Sequence, residues 1–312
     1  MKWLAIVEQY LHSRRDFGYK LTSDGQILKA FAIYAEEQNA TLPLDLNLVQ
    51  KWAALAPSGS DIAIARRMAM VRVFSKYLHL INPTSPVVPI KLIGRTHRRL
   101  PPFIFNQSTI SACMAAASDL LPAYGIRSLT LHTMLGLLVS SGLRPGEAVR
   151  LNKDDFDIAN GTLTITQSKN WHRRIVPLDG TTVRMLCDYC AVRALFEPLK
   201  HADSLFLMDN GEGLSIKAAD HAFKIIREKV HLDHKVNGRY PRLYDFRHTF
   251  VCRRIQAWYE AGQDVNAYIP QLSRYLGHKK IQDTYWYITA TPELMRLAAN
   301  RFGNYCDQGD DV

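Results

Sequence analysis

Three separated clusters of basic, aromatic and glycine residues stand out in this sequence as able to bind an anion. They lie at residues 141–147, 242–250 and 276–287. In the first cluster, an apolar helix is predicted to stop at Gly142 and a new helix to begin with Pro145. Arg144 then lies at a helix N-terminus, where free backbone N–H groups and the helix dipole favour an anion such as phosphate. A plain salt bridge to Glu147 is the competing interpretation of this arginine.

The second and third clusters set basic side chains among aromatic ones. Arg247 and His248 are flanked by tyrosine and phenylalanine, which is unusual for an ordinary core helix and indicates a polar site with an apolar backing. His278 follows a leucine–glycine pair, and Tyr287 comes nine residues after it. Several tyrosines crowd this end of the chain, and any one of them would ordinarily be a packing residue.

The bulk composition restricts the class of protein. A chain of 312 residues, with 47% hydrophobic and 22% charged residues, is long enough for two globular domains. No apolar stretch reaches the roughly 20 residues of a membrane-spanning helix, and the N-terminus lacks a signal-peptide pattern, so we expect a cytoplasmic protein. The net charge of +10 favours a polyanionic partner, although charge alone fits a basic enzyme equally well.

Four amphipathic helices are predicted in residues 1–82, which form one small domain. Ser23 with Gln26 makes a capping-box pattern at the start of the second helix, and Ser60 is expected to cap the fourth. The fourth helix carries basic residues away from its apolar face: Arg66, Arg67, Arg72 and Lys76. These side chains are DNA-contact candidates, with a merely solvated face as the equal alternative.

A proline-rich and basic stretch at residues 83–102 separates this domain from the rest of the chain. Its prolines predict extended, irregular backbone, and its arginines could follow a DNA backbone: Arg95, Arg98 and Arg99. An ordinary solvated linker is the alternative. Residues 103–312 form the second domain, helical except for one β-hairpin with strands at 161–166 and 174–178. The connection between these strands carries Lys169 and the DNA-contact candidate Arg173.

No metal or other cofactor is predicted. The five cysteines are scattered along the chain, which indicates reduced thiols. Cys187 and Cys190 have the spacing of half a zinc site, with His231 and His234 as a conceivable other half, but the cysteines lie in a helical pattern of core residues. Metal-dependent nucleases need converging carboxylates and nucleotide-binding proteins a glycine-rich phosphate loop, and neither pattern occurs in this sequence.

Taken in order, the motifs resemble the catalytic domain of the tyrosine recombinase (phage integrase) family. The series is Gly-Leu-Arg-x-x-Glu at 142–147, a hairpin lysine, Arg-His-Thr-Phe at 247–250, Leu-Gly-His at 276–278, and a tyrosine nine residues on. The resemblance spans about residues 103–305, whereas residues 1–82 match the family's core-binding domain only in size, helical character and position. It implies a mainly α fold with a small β-hairpin or sheet: a helical, SAM-like core-binding domain followed by a mixed α/β catalytic domain.

The resemblance also implies a role for each matched residue. The catalytic set is Arg144, Lys169, Tyr244, Arg247, His278 and Tyr287, with Glu147 orienting its neighbours. The two arginines would hold the non-bridging oxygens of the scissile phosphate and stabilise the charge of the transition state. The tyrosine at 287 would attack phosphorus and form a 3′-phosphotyrosyl bond. The lysine would protonate the departing 5′ oxygen, and the histidine at 278 would hydrogen-bond the phosphate.

One catalytic position departs from the family pattern. The family usually has histidine three residues before its second arginine, where this chain has Tyr244. A histidine there can serve as a base toward the nucleophile, whereas a tyrosine can donate a hydrogen bond to phosphate but is a poor base at neutral pH. Either the position tolerates a tyrosine or the protein is slow or inactive. We favour the first, because every other catalytic position is filled.

Double-stranded DNA recombination sites are the partner that the resemblance implies. Four copies of the chain, with or without sister recombinases, would pair two sites and exchange strands through a Holliday junction on the bacterial nucleoid. Thr291-Pro292-Glu293 predicts a helix start, and that helix would dock on a neighbouring copy or on its own domain. A type IB topoisomerase-like relaxing enzyme and a catalytically weak or inactive DNA-binding accessory protein are the alternatives. A mobile-element recombinase is preferred to a housekeeping one, because the N-terminal domain and the region of Tyr244 diverge from the Xer-type pattern.

Overall fold

The computed structural model describes residues 2–94, 96, 100–122, 125–166, 173–196, 203–289 and 291–307, with side chains as far as residue 300. Two compact units make up the chain, Met1–Arg99 and Leu100–Val312. Each unit has hydrophobic core clusters of its own and is built mainly from α-helices. Within the described ranges, no helix is long and apolar enough to cross a membrane.

The described part of the first unit contains the helices α1 (Trp3–Asp16), α2 (Thr22–Glu37), α3 (Leu46–Ala54) and α4 (Asp61–Ile81). Aromatic rings hold its core together: Phe31 meets Trp3 and Trp52 edge-on, at centroid distances of 5.8 and 5.2 Å. As predicted, Ser60 caps α4, because its Oγ accepts a hydrogen bond from the backbone N of Ala63 at 3.3 Å.

The start of α2 differs from the sequence-based prediction. The helix begins at Thr22, and its N-cap residue is Leu21, which has a positive φ of 42°. The side chain of Leu21 is partly buried against the helical core. Ser23 therefore lies inside the helix and cannot be its N-cap, so the predicted capping box with Gln26 is wrong. Core packing of the leucine fixes this helix start instead.

The first half of the stretch predicted as a linker packs on the first unit. Ser85 and Val88 are fully buried, and the backbone N of Val88 donates to Ser75 Oγ of α4 at 3.0 Å. Residues 83–89 contain no helix or strand, as their prolines predicted, and Ile90–Leu92 after them form a short 3-10 helix. Apolar side chains of this stretch join the core of the first unit and fix the backbone that carries them.

The second unit sets a small antiparallel sheet among α-helices. Its helices are α5 (Gln107–Ser118), α6 (Arg127–Ser141), α7 (Pro145–Ala148), α8 (Gly180–Ala194), α9 (Ile216–Lys229), α10 (Tyr244–Glu260), α11 (Val265–Leu276), α12 (Gln282–Tyr285) and α13 (Pro292–Asp307). Short 3-10 helices lie at Lys153–Asp155 and Trp286–Thr289. The strands β1 (Phe156–Asp157), β2 (Thr162–Ile165) and β3 (Arg174–Pro177) are hydrogen-bonded in sequence order, with Leu163 opposite Val176. The predicted hairpin is confirmed, and β1 is an addition to it.

The end of α6 shapes the region in which the motif residues meet. The helix runs through the core of the second unit, with Leu131, Leu135 and Leu138 fully buried. It ends at Gly142, as predicted, with a φ of 62° that a residue with a Cβ would adopt only under strain. A Cβ at Gly142 would also collide with the ring of Phe250. The next helix, α7, begins at Pro145, so this tight turn carries Arg144.

Candidate active site

Arg247, on α10, is fully buried and is held by the ends of two other helices. Its Nη1 donates to the carbonyl oxygen of Gly142 at 2.9 Å, and its Nη2 donates to that of Leu276 at 2.7 Å. These carbonyls close α6 and α11, where a helix leaves carbonyl groups unpaired and its dipole is negative. The guanidinium Nε is also buried and has no hydrogen-bond partner among the described residues. Arg247 therefore joins the ends of two helices from a buried position.

Arg144 and Arg174 converge on one buried carboxylate, that of Glu147. Arg174 of β3 forms a bidentate pair with it, Nη1 to Oε1 at 3.1 Å and Nη2 to Oε2 at 2.7 Å. Arg144 adds a contact from Nη1 to Oε1 at 2.7 Å, and its backbone N donates to Oε2 at 3.1 Å. Burial favours the neutral carboxyl, but Arg174 and then Arg144 outweigh it and lower the pKa of Glu147 to about 2. The carboxylate therefore stays ionised and fixes both arginines.

The same network reaches the end of α11. Arg144 Nη2 donates to the carbonyl oxygen of Gly277 at 3.2 Å, and Arg174 Nε donates to that of Tyr275 at 2.9 Å. The side chain of Arg144 is 24% exposed, whereas that of Glu147 is 1% exposed. The predicted salt bridge and the predicted helix-terminus position of Arg144 thus occur together, and part of its guanidinium faces solvent. A partly exposed, rigidly held guanidinium is suited to bidentate binding of phosphate.

His278 is fixed through both of its ring nitrogens. Its Nε2 lies 3.0 Å from Arg247 Nη2, and its Nδ1 lies 2.7 Å from the hydroxyl of the fully buried Thr284. Burial, followed by the charges of Arg247 and Arg144, lowers the pKa of His278 to about 4. The ring is therefore neutral at pH 7. Because Nε2 accepts from an arginine, we assign the proton to Nδ1, which donates to the threonine hydroxyl.

Tyr287 lies in the 3-10 helix that follows α12, and its side chain is buried, at 3% exposure. Its ring is parallel to that of His278, with centroids 6.5 Å apart. Its hydroxyl oxygen lies 2.9 Å from Nδ1 of His248. Burial raises the pKa of Tyr287, and the nearby Arg247 guanidinium opposes that rise. The hydroxyl is therefore protonated at neutral pH and lies within the field of a buried cation.

Tyr244 is the first residue of α10 and joins the same cluster. Its ring packs edge-on against His248, with centroids 5.0 Å apart. Burial lowers the pKa of Arg144, but Glu147 and, after it, Tyr244 outweigh burial and raise that pKa. A tyrosine hydroxyl beside this guanidinium can donate a hydrogen bond to an anion bound there.

The structure brings together most of the residues predicted to be catalytic. Those in the cluster are Arg144, Glu147, Tyr244, Arg247, His278 and Tyr287. Lys169 lies outside the described residues. So do three of the DNA-contact candidates: Arg95, Arg98 and Arg99. The roles of all these residues remain predictions.

The DNA-contact candidates within the described ranges fall into two groups. Arg66 and Lys76 of α4 are exposed, as is Arg173 directly before β3. Arg67 and Arg72 are partly buried and already bonded, because Arg67 Nη1 donates to the carbonyl oxygen of Trp52 at 2.9 Å and Arg72 Nη1 donates to that of Val88. These last two side chains serve the fold of the first unit, whatever else they bind.

Four residues that complete the cluster were given no individual role from the sequence: His248, Arg174, Thr284 and Asp245. His248 stands in the quoted motif, directly after Arg247, and one helical turn from Tyr244, which places both rings on one face of α10. Arg174 is the first residue of β3 and is partly buried, whereas Arg173, just before the strand, is exposed. Thr284 carries no signal of its own, since its importance lies in its contact with His278.

Comparison with known proteins gives the family. The sequence pattern of the phage integrase family matches residues 105–293. An integrase/recombinase of Sinorhizobium fredii, y4rE, is 31% identical over 95% of this chain and 94% of its own length. The tyrosine recombinase XerC of Pelotomaculum thermopropionicum is 29% identical over 75% of this chain and 72% of its own length.

Solved structures share the fold at low sequence identity. The recombinase XerH bound to a palindromic difH substrate has a TM-score of 0.68 and 18% identity, covering 91% of this chain and 80% of that one. The Tn1549 transposon integrase bound to transposon right-end DNA has a TM-score of 0.65 and 15% identity, covering 97% and 100%. The expected fold class, a mainly helical recombinase fold with a small sheet, is confirmed.

Proposed function

The chain belongs to the phage integrase family, and from that premise we propose that its buried cluster cuts and rejoins DNA through Tyr287. Its activity is site-specific recombination by tyrosine chemistry. The observation that carries the role of Tyr287 is that its side chain lies in one buried cluster with His278 and Arg247. A nucleophile, a fixed histidine and a buried cation in one place are the parts that phosphoryl transfer requires.

The scissile phosphate would bind between Arg144 and Arg247. Arg144 offers the partly exposed end of its guanidinium, and Arg247 offers the Nε that has no partner in the described structure. Both are held in place before DNA arrives, Arg144 by Glu147 and Arg247 by helix-end carbonyls. Donors fixed in advance stabilise the charge of a transition state without reorganising at that moment.

The reaction exchanges one phosphodiester for another. The Tyr287 oxygen forms a bond to phosphorus while the bond from phosphorus to the 5′ oxygen breaks, which leaves a 3′-phosphotyrosyl ester. Lys169 is our proposed donor of the proton that the 5′ oxygen takes up. Rejoining is the reverse reaction with the 5′ hydroxyl of another strand. Because the ester conserves the energy of the broken bond, no external energy source is required.

Tyr244 would act as a hydrogen-bond donor to the bound phosphate. Its effect on Arg144 supports this role, since the two side chains lie close enough for the tyrosine to raise the arginine pKa. In this arrangement the position needs a donor rather than a base. Tyr244→Phe is then expected to retain some cleavage, whereas Tyr287→Phe retains none. Equal and complete loss in both variants would contradict the proposed role of Tyr244.

Two copies of a DNA site, paired by four copies of the chain, are the proposed assembly. Strands would be exchanged in two rounds through a Holliday junction, with phosphate contacts from Arg66, Lys76 and Arg173 setting the register. The helix α13, which begins at Pro292 with the Thr291 hydroxyl accepting from the backbone N of Leu294 at 3.2 Å, would dock on a neighbouring copy. Integration, excision or transposition of a mobile element in the bacterial cytoplasm is the proposed setting.

A relaxing topoisomerase and a non-catalytic accessory protein are the competing functions. The topoisomerase would need no pairing of sites, so formation of Holliday junctions separates it from a recombinase. The accessory protein is suggested by Tyr244 alone and would form no covalent bond to DNA.

Covalent trapping tests the proposal. Purified protein is incubated with nicked duplex fragments from around its own gene, so that the short leaving strand diffuses away and rejoining fails. Denaturing electrophoresis then reveals any strand that is covalently attached to protein. We expect an adduct with the wild type and none with Tyr287→Phe. The matched control is Tyr285→Phe, because Tyr285 lies two residues away and is 38% exposed.

Each of three outcomes is informative. An adduct that disappears only in Tyr287→Phe identifies the nucleophile, and the trapped strand identifies the DNA site. Specific retention of some fragments without an adduct would favour the accessory function. An adduct that survives in Tyr287→Phe would show that another residue attacks.

A further inference from the structure

His248 is a buried histidine in direct contact with the proposed nucleophile. It lies on α10, is 8% exposed, and its Nδ1 is 2.9 Å from the Tyr287 hydroxyl oxygen. Its ring also packs edge-on against Trp286, with centroids 5.7 Å apart. This contact lies within the proposed reaction centre.

The surroundings of the ring decide which atom donates the hydrogen bond. On the opposite side of the imidazole, Nε2 lies 3.9 Å from a carboxylate oxygen of the fully buried Asp245. A carboxylate favours the tautomer whose proton faces it. Nδ1 then carries a lone pair, and the Tyr287 hydroxyl donates to it. Asp245, His248 and Tyr287 thus lie in the order carboxylate, imidazole and hydroxyl, the order used to activate hydroxyl nucleophiles, with the carboxylate acting on the imidazole by its charge at 3.9 Å rather than through a hydrogen bond.

His248 also stands close to the position where the family pattern expects histidine. Tyr244 occupies that position, and Tyr244 and His248 lie one helical turn apart on the same face of α10. A tyrosine is a poor proton acceptor at neutral pH. An imidazole one turn further along the helix contacts the hydroxyl that must lose its proton.

We propose that His248 is a catalytic residue that holds the Tyr287 hydroxyl and accepts its proton during attack on phosphorus. This inference rests on the proposed function of Tyr287. As the bond from the tyrosine oxygen to phosphorus forms, the hydroxyl proton passes to His248 Nδ1. The bond from phosphorus to the 5′ oxygen breaks, and that oxygen takes its proton from Lys169. In the rejoining step both protons return, so the enzyme ends in its starting state.

The charges around His248 fit a proton acceptor that works only with DNA bound. Burial and then the arginine charges lower the pKa of His248 to about 3, so the ring is neutral in the free protein. A bound phosphate brings negative charge to these arginines and favours a protonated ring. Asp245 would stabilise the imidazolium from the side of Nε2. The titratable and charged groups that face His248 are Asp245, Arg239, Arg242, Arg247, His278, Tyr244 and Tyr287.

Nitrogen NMR of the histidine side chains tests the hydrogen bond without DNA. The expected spectrum of the free protein at pH 7 shows His248 with its proton on Nε2 and a bare Nδ1. The resonance is assigned by its loss in His248→Gln. A protonated Nδ1 would overturn the proposal whatever the outcome with DNA.

Single-turnover cleavage of the trapped nicked duplex tests the proton transfer. We expect His248→Gln and His248→Phe to slow adduct formation by about 100-fold or more, the usual contribution of a positioned base. Glutamine can accept the tyrosine hydrogen bond but cannot take up the proton. The matched control is His221→Gln, at an exposed histidine of α9, which should react at the wild-type rate. Retention of the same DNA fragment and an unchanged melting temperature show that the variants are folded.

Two further measurements separate a proton acceptor from a structural support. A duplex with sulfur in place of the bridging 5′ oxygen has a leaving group that needs no proton, because a thiol is far more acidic than an alcohol. This duplex should restore cleavage to Lys169→Ala and leave His248→Gln slow. Adding Tyr244→His to His248→Gln should recover at least tenfold of the lost rate.

The results distinguish failure of this inference from failure of the proposed function. If the wild type forms an adduct and His248→Gln forms it at a rate within threefold, His248 is not the proton acceptor, while the function of Tyr287 stands. Restoration of His248→Gln by the sulfur duplex would also overturn the inference, since the defect would then lie at the leaving group. If the wild type forms no adduct with any fragment, the proposed function and this inference fall together.

Discussion

Replacing Glu147 by glutamine should remove a large share of the stability of the second unit. The carboxyl has its ordinary pKa of 4.5 in an unfolded chain and a pKa of about 2 in the folded protein. That difference corresponds to about 3 kcal/mol of stability at pH 7. The figure agrees with the usual cost of removing one partner of a buried ion pair, about 3–5 kcal/mol. Two arginines lose their counter-charge, and Arg174 is only 11% exposed.

The pH dependence of this loss has a definite direction. Because the folded-state pKa of Glu147 is lowered, its contribution is complete above pH 4.5 and disappears as the pH falls toward 2. The free energy by which Glu147→Gln differs from the wild type should therefore be equal at pH 7 and pH 5.5. It should shrink below pH 4.5.

Urea unfolding of the full chain, followed by circular dichroism and tryptophan fluorescence, measures this difference. The matched control is Glu228→Gln on α9, whose carboxylate lies 3.8 Å from Lys224 and is 50% exposed. An exposed pair of this kind contributes well under 1 kcal/mol. If Glu147→Gln costs no more than Glu228→Gln, the ion pairs of Glu147 with Arg144 and Arg174 do not stabilise the second unit.

Three further outcomes are expected. Gly142→Ala should destabilise the protein more than Gly262→Ala in thermal unfolding. Both glycines have positive φ, but of the two only Gly142 lies where a Cβ would collide with a neighbouring ring. Equal losses of stability in the two variants would refute the collision. Thr284→Val should lower the free energy of unfolding by about 1–3 kcal/mol, because it leaves His278 Nδ1 buried without its partner. The same variant should slow adduct formation. Wild-type stability and a wild-type rate would show that the hydrogen bond is unimportant. Stability should fall as the pH drops from 6.5 to about 4, by up to about 2.7 kcal/mol per pH unit, because His248 and His278 have lowered pKa values and the unfolded chain binds two more protons. Proton uptake measured by calorimetric titration of unfolding should drop by one in His278→Gln, and an unchanged uptake would refute this assignment.

Local signals in the sequence predicted several helix ends of both units well. Gly142, Pro145, Ser60 and Thr291 each act through atoms within a few residues, and their roles in ending or starting helices follow from backbone geometry alone. The motif order then gave the fold class through the resemblance. These features need no knowledge of how distant segments meet.

The contacts that complete the site were beyond sequence reasoning because they join distant segments. Arg174 and Glu147 are 27 residues apart, and His248 and Tyr287 are 39 residues apart. Nothing in the spacing of either pair indicates a contact. The prediction of where α2 starts was wrong for a related reason, because the tertiary packing of Leu21 prevailed over a local capping pattern. Strand β1, with two residues, is too short to show an alternating pattern.

The hydrogen bonds from Arg247 to the ends of two helices affect how the activity of this protein can be lost in evolution. An arginine that closes α6 and α11 is retained by selection for a folded chain, even in a copy that no longer needs to cut DNA. The Tyr287 hydroxyl, by contrast, closes no helix: it contacts the side chains of His248 and Arg247, and a phenylalanine would fill the same space. Among decayed copies of such a gene, the buried arginine should therefore outlast the tyrosine. The presence of the arginine identifies the ancestry of a sequence, and the tyrosine indicates whether it can still react.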